Sequence, residues 1–373
     1  MSTTPALARA PTPSWVLAAM LSLTYGCVPS DFDYDTADDW EVAAAEIRDG
    51  IAEHLAIDPD APRPPLRPVW IHGRQVHDGY AIENVSFASL PGVYVTGNLY
   101  RPLDAAGRSI TAPGSLPAVL NPHGHFFEPG WYPRTRPDMQ ARAATLARMG
   151  AVAFAWDMVG IGDSTQLEHD APSVPALQTW NSLRAVDFVR SLPEVDPTRV
   201  AVTGASGGAS QGFALVALDD RLAASVPVAM LSAVFAGGDP CEDLYPDGLH
   251  GTLEVDATAA PKPQLVISDG GDWTAHVPDR ELPFLRHIYG LYGAETNLES
   301  VHFGSEGHDY GPNKRAAMYD FMARTLGLEA PGEEPPAVPH ATLVVFDPGH
   351  PRPQDAVIGE LGIAGALRGL GGG

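Results

Sequence analysis

Cysteine is nearly absent: the 373 residues contain two, Cys27 and Cys241, so there is no disulfide framework to infer. Basic residues are also scarce, with 23 Lys and Arg against 46 Asp and Glu and a formal net charge of −23. A surface of that sign cannot gain from counterion release on a phosphate backbone, so nucleic acid is excluded as a partner, and an anionic membrane would repel it. Long apolar runs are missing as well. The one in the first 30 residues, "WVLAAMLSLTYG", is too short for a membrane span, no second one follows, and there is no internal repeat.

What the chain does have is 45% hydrophobic residues with 38 Gly and 36 Pro, the composition of a loop-rich globular protein. Its N-terminus carries one base, Arg9, and no acid, then the apolar run, then Thr24-Tyr25-Gly26 before Cys27 and the acidic "DFDYDTADDW". That order predicts a signal peptide over residues 1–30 and a secreted or periplasmic protein, with a lipid anchor at Cys27 as one form of it. The alternative is an ordinary disordered start and a cytoplasmic protein.

Residues 36–56 place apolar positions at helical spacing behind a Thr/Asp start and predict an amphipathic helix, followed by a proline-rich linker over 58–68. "YAIENVSFASLPGVYVTGNLYRP" alternates on both sides of Pro91-Gly92 and predicts a β-hairpin at a sheet edge. Short apolar strands at 116–124, 151–158, 199–205, 224–231 and 263–270 then alternate with helix candidates at 137–149, 174–192, 207–219 and 279–293. The fold class is therefore α/β, a mostly parallel, doubly wound sheet with helices on both faces and an antiparallel N-terminal hairpin. Residues 31–330 form one domain, and 331–373 read as a linker and tail. Polar, glycine-rich sequence marks the strand ends, "NPHGHF", "DMVGIGDS", "GASGG", "SDGGDWT" and "SEGHDYG", where ligands of such sheets gather.

"VTGASGGASQG" at 202–212 has two readings. As a dinucleotide loop, with Tyr310 and Lys314 imitating the Tyr-x-x-x-Lys pair of short-chain dehydrogenases, it fails: Ser210 replaces the last glycine, Pro312 interrupts the required helix, and the loop does not open the fold. As G-x-S-x-G it lies between a strand and a helix, the setting of a nucleophile elbow presenting Ser206. The N–H of Gly207 would then face an oxyanion, with Gly124 or His125 in "NPHGHF" as the second donor. A serine nucleophile needs a histidine and a carboxylate, in the order Ser, acid, His. His308 in "EGHDYG" has the strand-end context that His250, His276, His287 and His302 lack. Asp272 in "SDGGDWT" is the chosen acid, with Asp269 and Glu242 as alternatives. His123 and His125 have no third ligand at metal spacing, so neither metal nor cofactor is expected. Asp157, Gly162, Asp163 and Ser164 read as braces of a strand end.

Together, "PHGHF", "AWDMVGIGDS", "TWNSLRAVDFVRSLPEVDPTRVAVTGASGGASQ", "ISDGGDWT" and "EGHDYG" resemble the bacterial acetyl xylan esterase-like α/β hydrolases, relatives of dienelactone hydrolases and S9-type peptidases, over about residues 36–328. The resemblance implies the α/β-hydrolase fold, a Ser206–Asp272–His308 triad, and oxyanion donors at Gly207 and the 124–125 loop. It also implies a small-molecule or carbohydrate ester as substrate. A glucuronoyl esterase elbow would carry Cys-Ser and a lysine shortly after; Ala205 and Gln211 stand here instead. The segment 235–263 is expected to rim the pocket, and Trp131, Tyr245 and Trp273 are candidate sugar-stacking aromatics, alongside Tyr132 and Trp180. A peptidase or amidase, and a non-catalytic binding protein on the same scaffold, are the competing classes.

Overall fold

The structure, a computed structural model, describes residues 34–235, 237–245 and 252–369. The expected signal peptide with Cys27, and also His250, lie outside the described residues. Among the described residues, nine strands form one sheet in the order β1-β2-β3-β5-β4-β6-β7-β8-β9. They are β1 Val69–His77, β2 Tyr80–Leu90, β3 Val93–Pro102, β4 Leu116–Leu120, β5 Val152–Trp156, β6 Val195–Ala205, β7 Ala224–Val228, β8 Gln264–Asp269 and β9 Leu298–Phe303. The β1–β2, β2–β3 and β3–β5 pairs are antiparallel, and β4 to β9 run parallel. The hairpin turns at Pro91-Gly92 as its alternation predicts, but β1 flanks it, so the sheet edge lies one strand further out. "WIHGRQVH" in β1 is mostly exposed and has no apolar alternation to announce it.

The helices are α1 Ala37–His54, α2 Pro137–Arg148, α3 Val174–Arg190, α4 Gly207–Leu218, α5 Thr252–Ala257, α6 Glu281–Leu291, α7 Pro312–Leu326 and α8 Glu360–Leu367. The two faces of the sheet follow from the two-residue period of a strand. In β5, Val152, Phe154 and Trp156 pack with α3 in one core, while Ala153 faces the other core with α2 and α7. A third cluster joins α1, through Trp40, Ile47 and Ile51, to α4, α5 and α6. Thr36 caps α1 in a reciprocal pair with Asp39, as the Thr/Asp start implies. No helix among the described residues is long and apolar enough to cross a membrane.

Residues 331–369 run back across the N-terminal strands. Asn84 donates to the carbonyls of Thr342 and Val344, and Asn98 to Leu343. The Gly92 carbonyl accepts from Val357 N–H, and Leu343, Val345 and Ile363 are buried.

Candidate active site

The corner between β6 and α4 holds Ser206 at φ 56°, ψ −131°, a conformation that costs an L-residue strain and that the neighbouring backbone must enforce. The enforcement is visible in its flanking glycines. A Cβ on Gly204 would strike the backbone of Gly208, and one on Gly208 would lie 2.5 Å from the Pro122 carbonyl oxygen. Gly207 opens α4, where the helix leaves its N–H without an internal acceptor. Gly124 comes so close that a Cβ there would sit 3.0 Å from the Ser206 Cβ and 3.0 Å from the Phe126 ring.

Asp272 and His308 come from the loops after β8 and β9. These loops touch through backbone: a Cβ on Gly271 would lie 2.7 Å from Gly307 Cα. The approach sets His308 Nδ1–H on the Asp272 carboxylate at 2.6 Å, and the other Asp272 oxygen accepts from Thr274 N–H and its hydroxyl, each at 2.6 Å. The imidazole packs 4.7 Å from the Trp273 ring and 5.6 Å from the Phe126 ring, centroid to centroid. Phe126 thus borders both His308 and the Gly124–Ser206 contact. Among the described residues, none hydrogen-bonds the Ser206 hydroxyl.

The alternative acids are engaged elsewhere. Asp269, wholly buried, pairs with the equally buried Lys314 at 2.8 Å and accepts from Gly271 N–H at 3.0 Å. Burial raises its carboxyl above the usual range, the Asp272 charge adds to this, and Lys314 opposes both. Glu242 accepts from Gly238 N–H at 2.8 Å and stands 3.5 Å from His125 Nδ1. Tyr310, the other half of the dehydrogenase-like pair, is buried with its hydroxyl 2.6 Å from that of Thr203. His276 ends a 3₁₀ turn, His287 lies in α6 against the Tyr34 carbonyl, and His302 in β9 meets Ser268.

The loop after β4 is braced by His123. Its Nε2 accepts from Met158 N–H at 3.1 Å and its Nδ1–H reaches the Gly124 carbonyl at 3.0 Å. Complete burial holds its pKa down to about 4, so the ring is neutral and fixed in one tautomer. Beneath this loop, Asp157 accepts from Thr96, Arg134 and Asp163 N–H, and Arg134 also bonds Asp163, so the "DMVGIGDS" turn is knit to the sheet.

Of the stacking candidates, Trp273 lies at the site, anchored by its indole N–H on the Met230 carbonyl. Trp131 packs edge-on to His340, Tyr132 likewise, and the end of the Tyr245 ring abuts Gly50 of α1. Trp180 is fully buried in α3. Sequence reasoning missed Phe126, the exposed Phe127, and Phe235, whose ring is 4.3 Å from Trp273. The adjacency of "HFF" to the candidate oxyanion loop was the available signal for the first two.

The acetyl xylan esterase (AXE1) family model matches residues 180–234, the stretch holding the later part of α3, β6, the Ser206 corner and β7. Across the whole chain, the solved Methylesterase BT1017 is 35% identical, covering 92% of this chain and 76% of its own, with a TM-score of 0.79. This chain belongs to the acetyl xylan esterase-like α/β hydrolases. The solved structure of a putative acetyl xylan esterase from Bacteroides fragilis shares the fold at 19% identity, covering 79% of this chain and 83% of its own, with a TM-score of 0.58. An uncharacterized Pseudomonas aeruginosa protein is 31% identical to this hydrolase over 150 residues, 39% of this chain and about a third, 36%, of the relative.

Proposed function

We propose that this α/β hydrolase cleaves carboxylic esters of carbohydrates through an acyl-serine. His308 Nε2 takes the Ser206 proton as Oγ attacks the ester carbonyl, and the developing oxyanion rests on the N–H of Gly207 and of Gly124 or His125. The protonated His308 then returns that proton to the leaving alcohol. Water, deprotonated by the same imidazole, releases the acid from Ser206. Asp272 holds His308 with Nδ1 protonated, which leaves Nε2 free to act as the base. The observation that carries this reading is the 2.6 Å Asp272–His308 bond, whose imidazole shares the Phe126 ring as a neighbour with the Gly124 contact to a serine held at positive φ.

The acetyl xylan esterase family match and relatives bearing the names methylesterase and glucuronoyl esterase support an ester on a sugar. The 35% identity to the methylesterase favours a methyl ester as the second form of the substrate, beside an acetylated sugar. Trp273 and Phe127 would meet the sugar rings. A fluorophosphonate probe should label the parent at Ser206 and leave Ser206→Ala unlabelled, with hydrolysis of p-nitrophenyl acetate reduced by about 10³- to 10⁶-fold. Equal rates for the two proteins would overturn the acyl-serine. Rates on acetylated xylan, a methyl-esterified polyuronide and an aminoacyl amide then rank acetyl ester, methyl ester and amide.

A further inference from the structure

His125 and His169 meet beside the candidate oxyanion loop, with Nε2 atoms 3.0 Å apart, and Cys241 Sγ lies 3.2 Å from His125 Nε2. Each ring is oriented from behind. The Val159 carbonyl, which can only accept, lies 2.5 Å from His169 Nδ1, so that nitrogen carries the ring proton. The carboxylates of Asp239 and Glu242, 3.3 and 3.5 Å from His125 Nδ1, fix the same tautomer there. With Nδ1 so engaged on both rings, the two Nε2 atoms are turned toward each other, and the Cys241 sulfur lies beside them. Two nitrogens and a sulfur, all within 4.8 Å of one another, make up a donor set for one metal ion.

We propose that His125 Nε2, His169 Nε2 and Cys241 Sγ bind one zinc ion, with the fourth position open. Nitrogen and sulfur are the donors a borderline-soft ion takes. A tetrahedral zinc separates such ligand atoms by about 3.3–3.6 Å, so the His125–His169 and His125–Cys241 sides must open by only a few tenths of an ångström. The contacts behind the rings, a backbone carbonyl on one and carboxylates on the other, are those that orient and enrich metal-bound imidazoles. The ligands come from three loops, 44 and 116 residues apart counted from His125, which is why no sequence spacing betrays them. Because a Cβ on Gly207 would touch His125 Cε1 at 2.9 Å, the ion would pin the ring against the Ser206 corner and act as a positioning element for that loop. On binding, the thiol gives up its proton and sulfur bonds the metal as thiolate, with no change of oxidation state.

The test is Co²⁺ titration of the full chain after dialysis against a chelator. We expect one ion per chain, with the visible bands of a tetrahedral site and a thiolate-to-cobalt charge-transfer absorption, and displacement by one equivalent of Zn²⁺. Cys241→Ser should abolish the charge-transfer band, and His169→Ala should weaken binding at least tenfold; thermal melts of both variants verify that they are folded. Ser206→Ala should bind Co²⁺ like the parent, which separates this proposal from the acyl-serine. Absence of stoichiometric binding, or binding that folded His169→Ala and Cys241→Ser proteins retain unchanged, would overturn it.

Discussion

Asp269 and Asp272 lie three residues apart, share a loop, and do opposite work, and their difference is a matter of single hydrogen bonds. Asp272 spends one oxygen on Thr274 and the other on His308, whereas Asp269 neutralises Lys314 inside the protein. The two asparagine variants should therefore separate. Asp272→Asn keeps the fold but no longer holds His308 in the tautomer that frees Nε2, and kcat should fall by on the order of 10⁴. Asp269→Asn leaves a buried ammonium without its partner carboxylate and should cost about 3 kcal/mol of stability. Melting curves and kcat measured on both proteins check the pair of outcomes; a stable, inactive Asp269→Asn would reverse the assignment. The residue pattern placed both acids at the right strand end and favoured Asp272; the structure adds that Asp269 is taken up by Lys314, 45 residues on.

At the scale of elements, the decisive object is the β6–α4 corner wedged against the loop after β4. Gly208 and Gly212 both belong to α4, yet only the first faces backbone. Gly208→Ala drives a methyl onto the Pro122 carbonyl and should lower stability by about 1–3 kcal/mol while displacing the loop that carries Gly124. Gly212→Ala meets nothing nearer than a Val202 methyl at 3.9 Å and should stabilise the helix by up to about 1 kcal/mol. Thermal unfolding of the two variants in parallel reads the difference directly. Most elements were legible because buried parallel strands leave unbroken apolar runs and their helices leave amphipathic ones. β1 was not, since its pairing with β2 is carried by backbone groups while its side chains stay mostly exposed.

The whole molecule adds constraints that no single element shows. The 331–369 segment fills the hydrogen-bonding capacity of Asn84, Asn98 and Asp163, the last through Val345 N–H at 2.8 Å. Removing residues 331–373 strips these buried groups of partners and uncovers Leu343 and Val345, so the truncated chain should melt at lower temperature and aggregate, as light scattering on heating would record. A pH effect also belongs at this scale. Asp256 is wholly buried, with one oxygen accepting from Gln264 and the other without a partner, and burial pushes its pKa up to about 8. Between the unfolded value of 3.8 and about 8, the folded protein keeps a proton that the unfolded chain has lost. This contribution to stability is complete below the lower value and disappears as pH rises through the upper one. Asp256→Asn should flatten that decline, and melting temperatures from pH 5 to pH 9 would show it.

The sequence by itself determined the α/β fold, the strand ends where polar residues gather, and the serine corner. All three are imposed by short-range effects: burial periodicity, tight-turn sterics and the need for glycine where backbones touch. Tertiary structure alone decided that Lys314 takes up Asp269, that His169 and Cys241 join His125, and that the C-terminal segment closes over the N-terminal strands. Those partnerships join residues 44 to more than 250 positions apart. They depend on where loops end in space, and residue order records no distance between them.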